Sequence, residues 1–329
     1  MTWFQQLTGI DERSPDHVRS QINVDDGALV MPNGKRIAFG RLETPTLGEL
    51  RSQASIIRPA GDGLRLREVV GDVRKLHADP ANAGSLFQVA SQFNLLEMAG
   101  PSVTPERGVG VYENDLTQGP ACAISCGSGT IYRNYFAPVG DSIGQTAQQQ
   151  IDCSADLGQL LGNASGTLWK MQNGYLFPTD SGLEQVATKL QRADDGERDR
   201  YRESLRIGVQ WNTAVTLPGC DHRVSQAYCS ALPVAYGRQP ANQWTQFARL
   251  VLEAAYEATL CAAILNDSPQ VFLTLLGGGV FGNEDQWIIG AIERAIEKAR
   301  QYDLDVAIVS YGSSQRVVAE LVTRFGGAA

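Results

Sequence analysis

The sequence predicts an α/β chain with three layers, helices packed on both faces of a mixed sheet, an N-terminal extension and a central insertion. Strand-length apolar runs alternate with stretches of helical periodicity. The runs lack a polar face, as expected of strands covered on both sides. Several end in glycine, amide or acidic residues, where an open α/β sheet presents its ligand-binding end.

In chain order, residues 1–65 are polar and irregular, with turn signals at Pro15, Asp26-Gly27, Pro32-Asn33-Gly34 and Pro59-Ala-Gly61. Scattered apolar residues such as Trp3, Phe4, Leu29 and Phe39 predict that this extension packs on a main domain over residues 66–325. Leu66–Leu76 predicts a strand ending at Gly71-Asp72, and Ser85–Ser91 a buried strand running into Gln92-Phe93-Asn94. Residues 100–120 read as a loop holding Glu113, Asp115 and Gln118. Within an insertion over about 130–205, Thr146–Leu161 reads as a helix and Asn173-Gly174 as the turn of a hairpin. The charge-dense stretch 191–203 reads as a solvated helix face or surface linker. Leu205–Trp211 predicts a strand, Val224–Ala235 a helix, and Gln243–Leu265 a long amphipathic helix with one apolar stripe. A strand from Val271, a helix to about Gln301, a strand Val306–Tyr311 and a helix Ser314–Phe325 complete the chain.

At 329 residues and 43% hydrophobic content the chain is long enough for one large domain or two smaller ones. A net charge of −8 and a pI near 5.0 argue against a nucleic-acid backbone or an anionic membrane as principal partner. An anionic ligand must then be held by backbone N–H groups or a few arginines. No secretory signal or membrane-spanning run is legible, so a cytoplasmic chain is expected, or one exported by a route the sequence does not display. The six cysteines and three histidines lack metal-binding or redox spacing; no metal and no cofactor is expected, and the chain is expected to be a monomer.

The most informative stretch is Val271–Asp285, an apolar run followed by Gly277, Gly278, Gly279, Val280, Phe281, Gly282 and Asn283, with helical periodicity from Gln286. Strand, bare-backbone loop and helix form a phosphate-binding layout, because the glycines let N–H groups approach an anion and the helix dipole favours negative charge at its start. A tight strand-to-helix turn without a ligand would look the same, so both readings stay open here.

Taken together, Val69–Leu76, the run ending Ala90-Ser-Gln-Phe-Asn94, the Gly277–Gly282 loop, and Val306–Tyr311 before a last helix resemble the macrodomain family of ADP-ribose binders and ADP-ribosyl hydrolases. The resemblance spans roughly residues 66–325. It implies that Asp72 accepts a hydrogen bond from the adenine amino group, with the Val73 N–H beside it. By the same resemblance Asn94 lies near the distal ribose, Gly278–Gly282 wrap the diphosphate, Phe281 lies along the ribose and Tyr311 beside the adenine. The sequence departs from the family where Leu95–Pro105 separates Asn94 from Gly108–Asp115, and it lacks the adjacent glutamate pair of poly(ADP-ribose) glycohydrolases. The resemblance therefore implies a divergent branch that removes single ADP-ribose groups from protein side chains, arginine among them, with ADP-ribose or an ADP-ribosylated protein as partner.

Such a cleavage needs carboxylates beside an oxocarbenium-like centre. Asp115, Glu113, Glu284 and Asp285 are the candidates, with Gln92 and Asn94 as amide partners for ribose hydroxyls. Glu284 and Asp285 also suit the first turn of a helix electrostatically, and Glu113 and Asp115 also suit a surface turn. Two further readings are a non-catalytic ADP-ribose reader and, from Gln118-Gly-Pro-Ala-Cys122, a thiol hydrolase with His222 as base.

Overall fold

The computed structural model describes residues 1–59 and 63–326; the turn expected at Pro59-Ala-Gly61 runs into residues outside that range. The chain opens with α1 (Trp3–Thr8) and α2 (Pro15–Gln21), whose first turns are capped by the Thr2 and Ser14 hydroxyls. β1 (Asn23–Asp25), β2 (Ala28–Val30) and β3 (Arg36–Ala38) form a small antiparallel sheet. β4 (Arg41–Glu43) and α3 (Leu47–Ala54) follow, α3 starting in a Thr46–Glu49 capping box. Next come β5 (Arg65–Val70), α4 (Val73–Ala78), β6 (Leu86–Ala90), α5 (Gln118–Ser125) and α6 (Gly127–Tyr135). Between α6 and β11 lie β7 (Pro138–Val139), β8 (Ser142–Ile143), α7 (Ala155–Leu161), β9 (Trp169–Gln172), β10 (Tyr175–Pro178), α8 (Asp180–Arg192) and α9 (Asp195–Glu203). The chain then returns through β11 (Gly208–Ala214), β12 (Arg223–Cys229), α10 (Ala241–Leu265), β13 (Val271–Leu273), α11 (Asp285–Ala299), β14 (Asp305–Ser310) and α12 (Arg316–Gly326).

The principal sheet has seven strands in the order β4-β11-β12-β6-β13-β14-β5. β4 and β11 pair antiparallel, as do β11 and β12; the remaining pairs are parallel. Five neighbouring strands therefore end along one edge, and that edge carries the site. Side chains along the central strands alternate between two helical layers. On one face the Gln226 amide donates to the Cys122 carbonyl of α5 at 2.9 Å, and the Arg133 guanidinium of α6 lies 3.5 Å from the Tyr228 ring centroid. On the other face Gln88 donates to Thr259 of α10 at 2.9 Å. Phe87 stacks on Phe272, its partner in the β6–β13 register, and on the buried imidazole of His77. The three-layer α/β/α arrangement that the sequence predicts is thus present.

Three local expectations fail, each for a tertiary reason. Residues 223–229 form β12 rather than a helix: Val224, Ala227 and Tyr228 are buried between two helical layers, so burial on both faces overrides the weak periodicity. Thr146–Leu161 is helical only over α7; before it, the Thr146 hydroxyl accepts from the Gln149 N–H at 3.0 Å, a turn contact that competes with helix. α10 is buried on every side from Leu250 to Ile264, not along one stripe, because α3, α8, α9 and α11 cover its outer face.

The charge-dense stretch 191–203 is also more than a solvated face. Asp199 and Glu203 of α9 accept from Arg51 of α3 at 2.8 Å, and Arg51 and Arg294 of α11 both grip Glu257 of α10, which is 3% exposed. Arg202 holds Glu253 of α10 in the same layer. Burial by itself would raise the Glu257 pKa, but the two guanidiniums hold it below its ordinary value of 4.5. A carboxylate with a lowered native pKa contributes stability above its unfolded pKa and loses it as pH falls through the native value. Glu257→Gln is expected to lower stability at neutral pH by about 3 kcal/mol, by leaving two guanidiniums under-paired, and to flatten the acid limb of a stability–pH curve measured by urea melts.

Candidate functional site

A cavity of about 490 Å³ opens at the carboxyl ends of β6, β13 and β14. Ala90, Ser91 and Gln92 extend β6 into its wall, Thr274–Phe281 follow β13, and Ser310 and Tyr311 end β14. Three carboxyl groups line it (Glu97, Asp115 and Asp285), and among the described residues no lysine or arginine does. A larger open cleft of about 890 Å³ lies at the β4 edge, but its charged residues face one another, Arg41 with Glu43 and Arg206 with Glu49. That mutual neutralisation makes it the weaker candidate.

The glycine loop is anchored at both ends. The fully buried Tyr256 of α10 donates to the Thr274 carbonyl at 2.7 Å and accepts from the Leu276 N–H at 2.8 Å. The Asn283 amide donates to the carbonyls of Leu232 and Gly277 at 2.8 and 3.3 Å and closes the loop. Within it the glycines serve different ends. Gly277 has φ +74°, and a Cβ there would meet the Ala231 methyl at 2.4 Å; Gly282 has φ +70° and faces the Ala235 Cβ at 2.9 Å. Those two are demanded by the fold. Gly279 has no left-handed φ, and a Cβ added to it would meet nothing within 4 Å. Packing does not require a glycine there, yet it lies on the cavity wall. The N–H groups of Gly279, Val280 and Phe281 make no intramolecular hydrogen bond among the described residues, so three successive donors remain open to a ligand.

Across the cavity, α5 begins at Gln118 without a side-chain cap, because the Thr117 hydroxyl donates to Asp115 at 2.7 Å instead. The Asp115 carboxylate also accepts from the Thr117 N–H at 2.8 Å, and both residues line the cavity. Beside this helix start lies Glu97, 6% exposed, with one carboxyl oxygen lacking any partner. Burial pushes its pKa well above 4.5 and the Asp115 charge adds to that, while Arg133 pulls the other way. Tyr175 of β10, Tyr236 and Phe281 form an aromatic wall with ring centroids 5.4–5.9 Å apart. The Tyr175 hydroxyl donates to the Met98 carbonyl at 2.8 Å, fixing the β9–β10 hairpin to the segment that carries Glu97.

Of the residues that the sequence singles out, Gln92, Asp115, Gln118, Gly277, Gly278, Gly279, Val280, Phe281, Asp285 and Tyr311 lie on the wall. The others lie off it. Asp72 caps α4 through the Arg74 N–H at 2.8 Å, and the Val73 N–H donates to the Gln118 side chain at 3.0 Å. Asn94 is fully buried, bonded to Gln150 and to the Leu96 N–H. Glu113 accepts from the Trp3 N–H at 2.9 Å, which ties α1 down, and Glu284 pairs with the Gln286 amide. Gly282 and Asn283 shape the loop from behind.

The thiol-hydrolase reading fails on geometry. Cys122 is 3% exposed inside α5 and burial pushes its thiol well above 9.0, so the nucleophilic thiolate is disfavoured. His222 is bonded to the His77 carbonyl at 2.8 Å, and burial lowers His77 itself to about 4.

Sequence reasoning missed Glu97, Tyr175 and Tyr236. A signal existed for Glu97, a lone carboxyl in the apolar run Leu95-Leu96-Glu97-Met98. None existed for the aromatic wall, whose members come from three distant segments.

No family model matches the sequence, and no curated protein matches it. Among solved structures, the chain is similar to poly(ADP-ribose) glycohydrolase from Deinococcus radiodurans in complex with ADP-ribose, with 13% identity, a TM-score of 0.46, and 86% of this chain and 92% of that one covered. It is similar also to poly(ADP-ribose) glycohydrolase from Thermomonospora curvata, with 13% identity, a TM-score of 0.45, and 91% and 93% covered. Identities this low carry no residue role from either enzyme to this chain.

Gly279→Val is expected to melt at the wild-type temperature yet weaken binding of an inorganic pyrophosphate probe at least about tenfold, because the new side chain enters open cavity. Gly277→Ala is expected to cost about 1–3 kcal/mol of stability through strain at positive φ. Paired calorimetric and thermal titrations separate the two effects; equal binding by Gly279→Val and wild type would contradict a ligand role for this loop.

Proposed function

We propose that the chain is an ADP-ribosyl hydrolase that releases mono-ADP-ribose from modified protein side chains, arginine-linked groups among them. The observation that carries this is Gly279 with its neighbours: a glycine that packing does not require, and three successive open N–H donors on the wall of a cavity without cationic side chains. A diphosphate held by backbone rather than by arginines also suits a chain of net charge −8. The volume of about 490 Å³ suits a ligand of nucleotide size.

In this reading the diphosphate lies on Gly277–Phe281, with Tyr311 at the adenine end and Phe281 along the ribose. Asp72 and Val73 stand at the end of β5 toward the adenine. The distal ribose faces Gln92 and Asp115. Asp115 orients and deprotonates the attacking water, and the aromatic wall shields the oxocarbenium-like centre from bulk solvent. Asp285, in the first turn of α11, is the second carboxylate near the diphosphate. Glu113 and Glu284 are turned to other partners, which supports a second reading, a non-catalytic ADP-ribose reader.

Calorimetry with ADP-ribose and turnover of a panel of ADP-ribosylated proteins distinguish these readings. Wild type is expected to bind and to cleave at least one linkage. Asp115→Asn is expected to keep binding and lose turnover by about 10²-fold. Asp72→Ala is expected to weaken binding, with about 1 kcal/mol lost from the α4 cap. Cys122→Ser should leave turnover intact. Binding without cleavage of any linkage establishes the reader; absence of binding removes both readings.

A further inference from the structure

We propose that Glu97 is the proton donor to the leaving group of the cleavage, a role resting on the hydrolase reading above. The carboxyl sits between the end of β6 and the uncapped start of α5, on the cavity wall beside Asp115. It is 6% exposed, and Oε1 has no hydrogen-bond partner among the described residues. A buried carboxyl oxygen left unpaired is costly, and the residue that carries it lines the cavity, where a ligand can supply the missing partner.

The surrounding backbone leaves room for this group. A Cβ at Gly119, in the first turn of α5, would come within 2.7 Å of Glu97 Oε2 and 2.4 Å of the Ala90 carbonyl. Glycine at this point lets the carboxyl lie against the helix start. The Glu97 N–H is fixed by donation to the Tyr112 hydroxyl at 3.0 Å, so the residue is held on the main-chain side while its carboxyl end stays free. Its structural contribution is small for so buried a polar group: no hydrogen bond of the fold ends on Oε1.

Burial raises the Glu97 pKa, and the charge of Asp115 raises it further. That shift favours the protonated, proton-donating form of Glu97, and Asp115, hydrogen-bonded to Thr117 beside it, is the carboxyl placed to take a proton from water. As the bond between the distal anomeric carbon and the acceptor atom breaks, that atom takes the bonding pair and the Glu97 proton. Water adds to the anomeric carbon and gives its proton to Asp115. The products are ADP-ribose and the unmodified side chain, and exchange with solvent restores both carboxyl groups.

The test uses the whole chain with two substrates, an ADP-ribosylated protein and ADP-ribose bearing 4-nitrophenol at the distal anomeric carbon. Nitrophenolate leaves without a proton. Glu97→Gln, nearly isosteric, is expected to lower kcat on the protein substrate by about 10²-fold or more and on the nitrophenyl compound by less than about tenfold. Melting temperature and ADP-ribose Kd are expected to match wild type, which a structural role would not allow. Glu97→Asp, which withdraws the carboxyl by one methylene, should fall between.

The wild-type rate should drop as pH rises through the raised Glu97 pKa, and that limb should vanish in Glu97→Gln. The groups facing Glu97 are Arg133, Asp115, Tyr112, Cys122, Tyr175 and Tyr228; burial raises the tyrosine and cysteine groups above their ordinary values. Equal losses on both substrates, or a Glu97→Gln rate within about threefold of wild type on the protein substrate, overturn the donor role while leaving the hydrolase intact. A wild type that binds ADP-ribose and cleaves neither substrate overturns the hydrolase reading, and the donor role with it.

Discussion

One cluster of ion pairs joins four segments far apart in the chain. Glu257 in the middle of α10 is gripped by Arg51 from the N-terminal region and by Arg294 of α11, and Asp199 of α9 completes the contact. A carboxylate this deeply buried is tolerated only when paired, so α3, α9 and α11 must all dock for α10 to be stable. α10 in turn covers one face of β6, β12 and β13 and supplies Tyr256, which anchors the glycine loop. The site at the sheet edge therefore depends on charges at the opposite side of the helical layer.

The edge itself follows from strand direction. Because β5, β14, β13, β6 and β12 run parallel, their carboxyl ends and following loops converge. Each loop brings a different chemistry. The β13 loop brings bare N–H donors, the segment after β6 an amide and a buried carboxyl, and the run before α5 a half-buried aspartate and an open helix start. The β9–β10 hairpin adds Tyr175 to the wall and is held there by close contact: a Cβ at Gly174 would lie 2.6 Å from the Asn94 side chain. Asn94 thus fastens the hairpin to the core.

Much of this was legible in advance where local and tertiary preferences agree. β13 and the middle of β14 are continuous apolar runs, β6 is broken only by Gln88, and the Asn173-Gly174 turn has the left-handed φ values its residues favour, +47° and +79°; β5, by contrast, carries Arg65, Arg67 and Glu68 and is only half-buried. β12 was not legible, since Ser225, Gln226 and Arg223 interrupt the apolar pattern, and its strand character comes from partners on both sides. Glu113 lies two residues from Asp115 and Glu284 is adjacent to Asp285, yet only the aspartate of each pair lies on the cavity wall. Neither spacing nor composition encodes that difference.

What sequence alone determines here is the backbone chemistry of the glycine loop, the β6, β13 and β14 strands with the helices that follow the last two, and the scarcity of positive charge that leaves an anion to be bound by N–H groups. These are properties of short segments, set by steric freedom and apolar periodicity. Tertiary structure decided which carboxyl groups reach the cavity and which of them is buried. Glu97 is an ordinary glutamate in sequence; its pKa is raised because β6, α5 and the β9–β10 hairpin close around it and remove the water that would stabilise its charge.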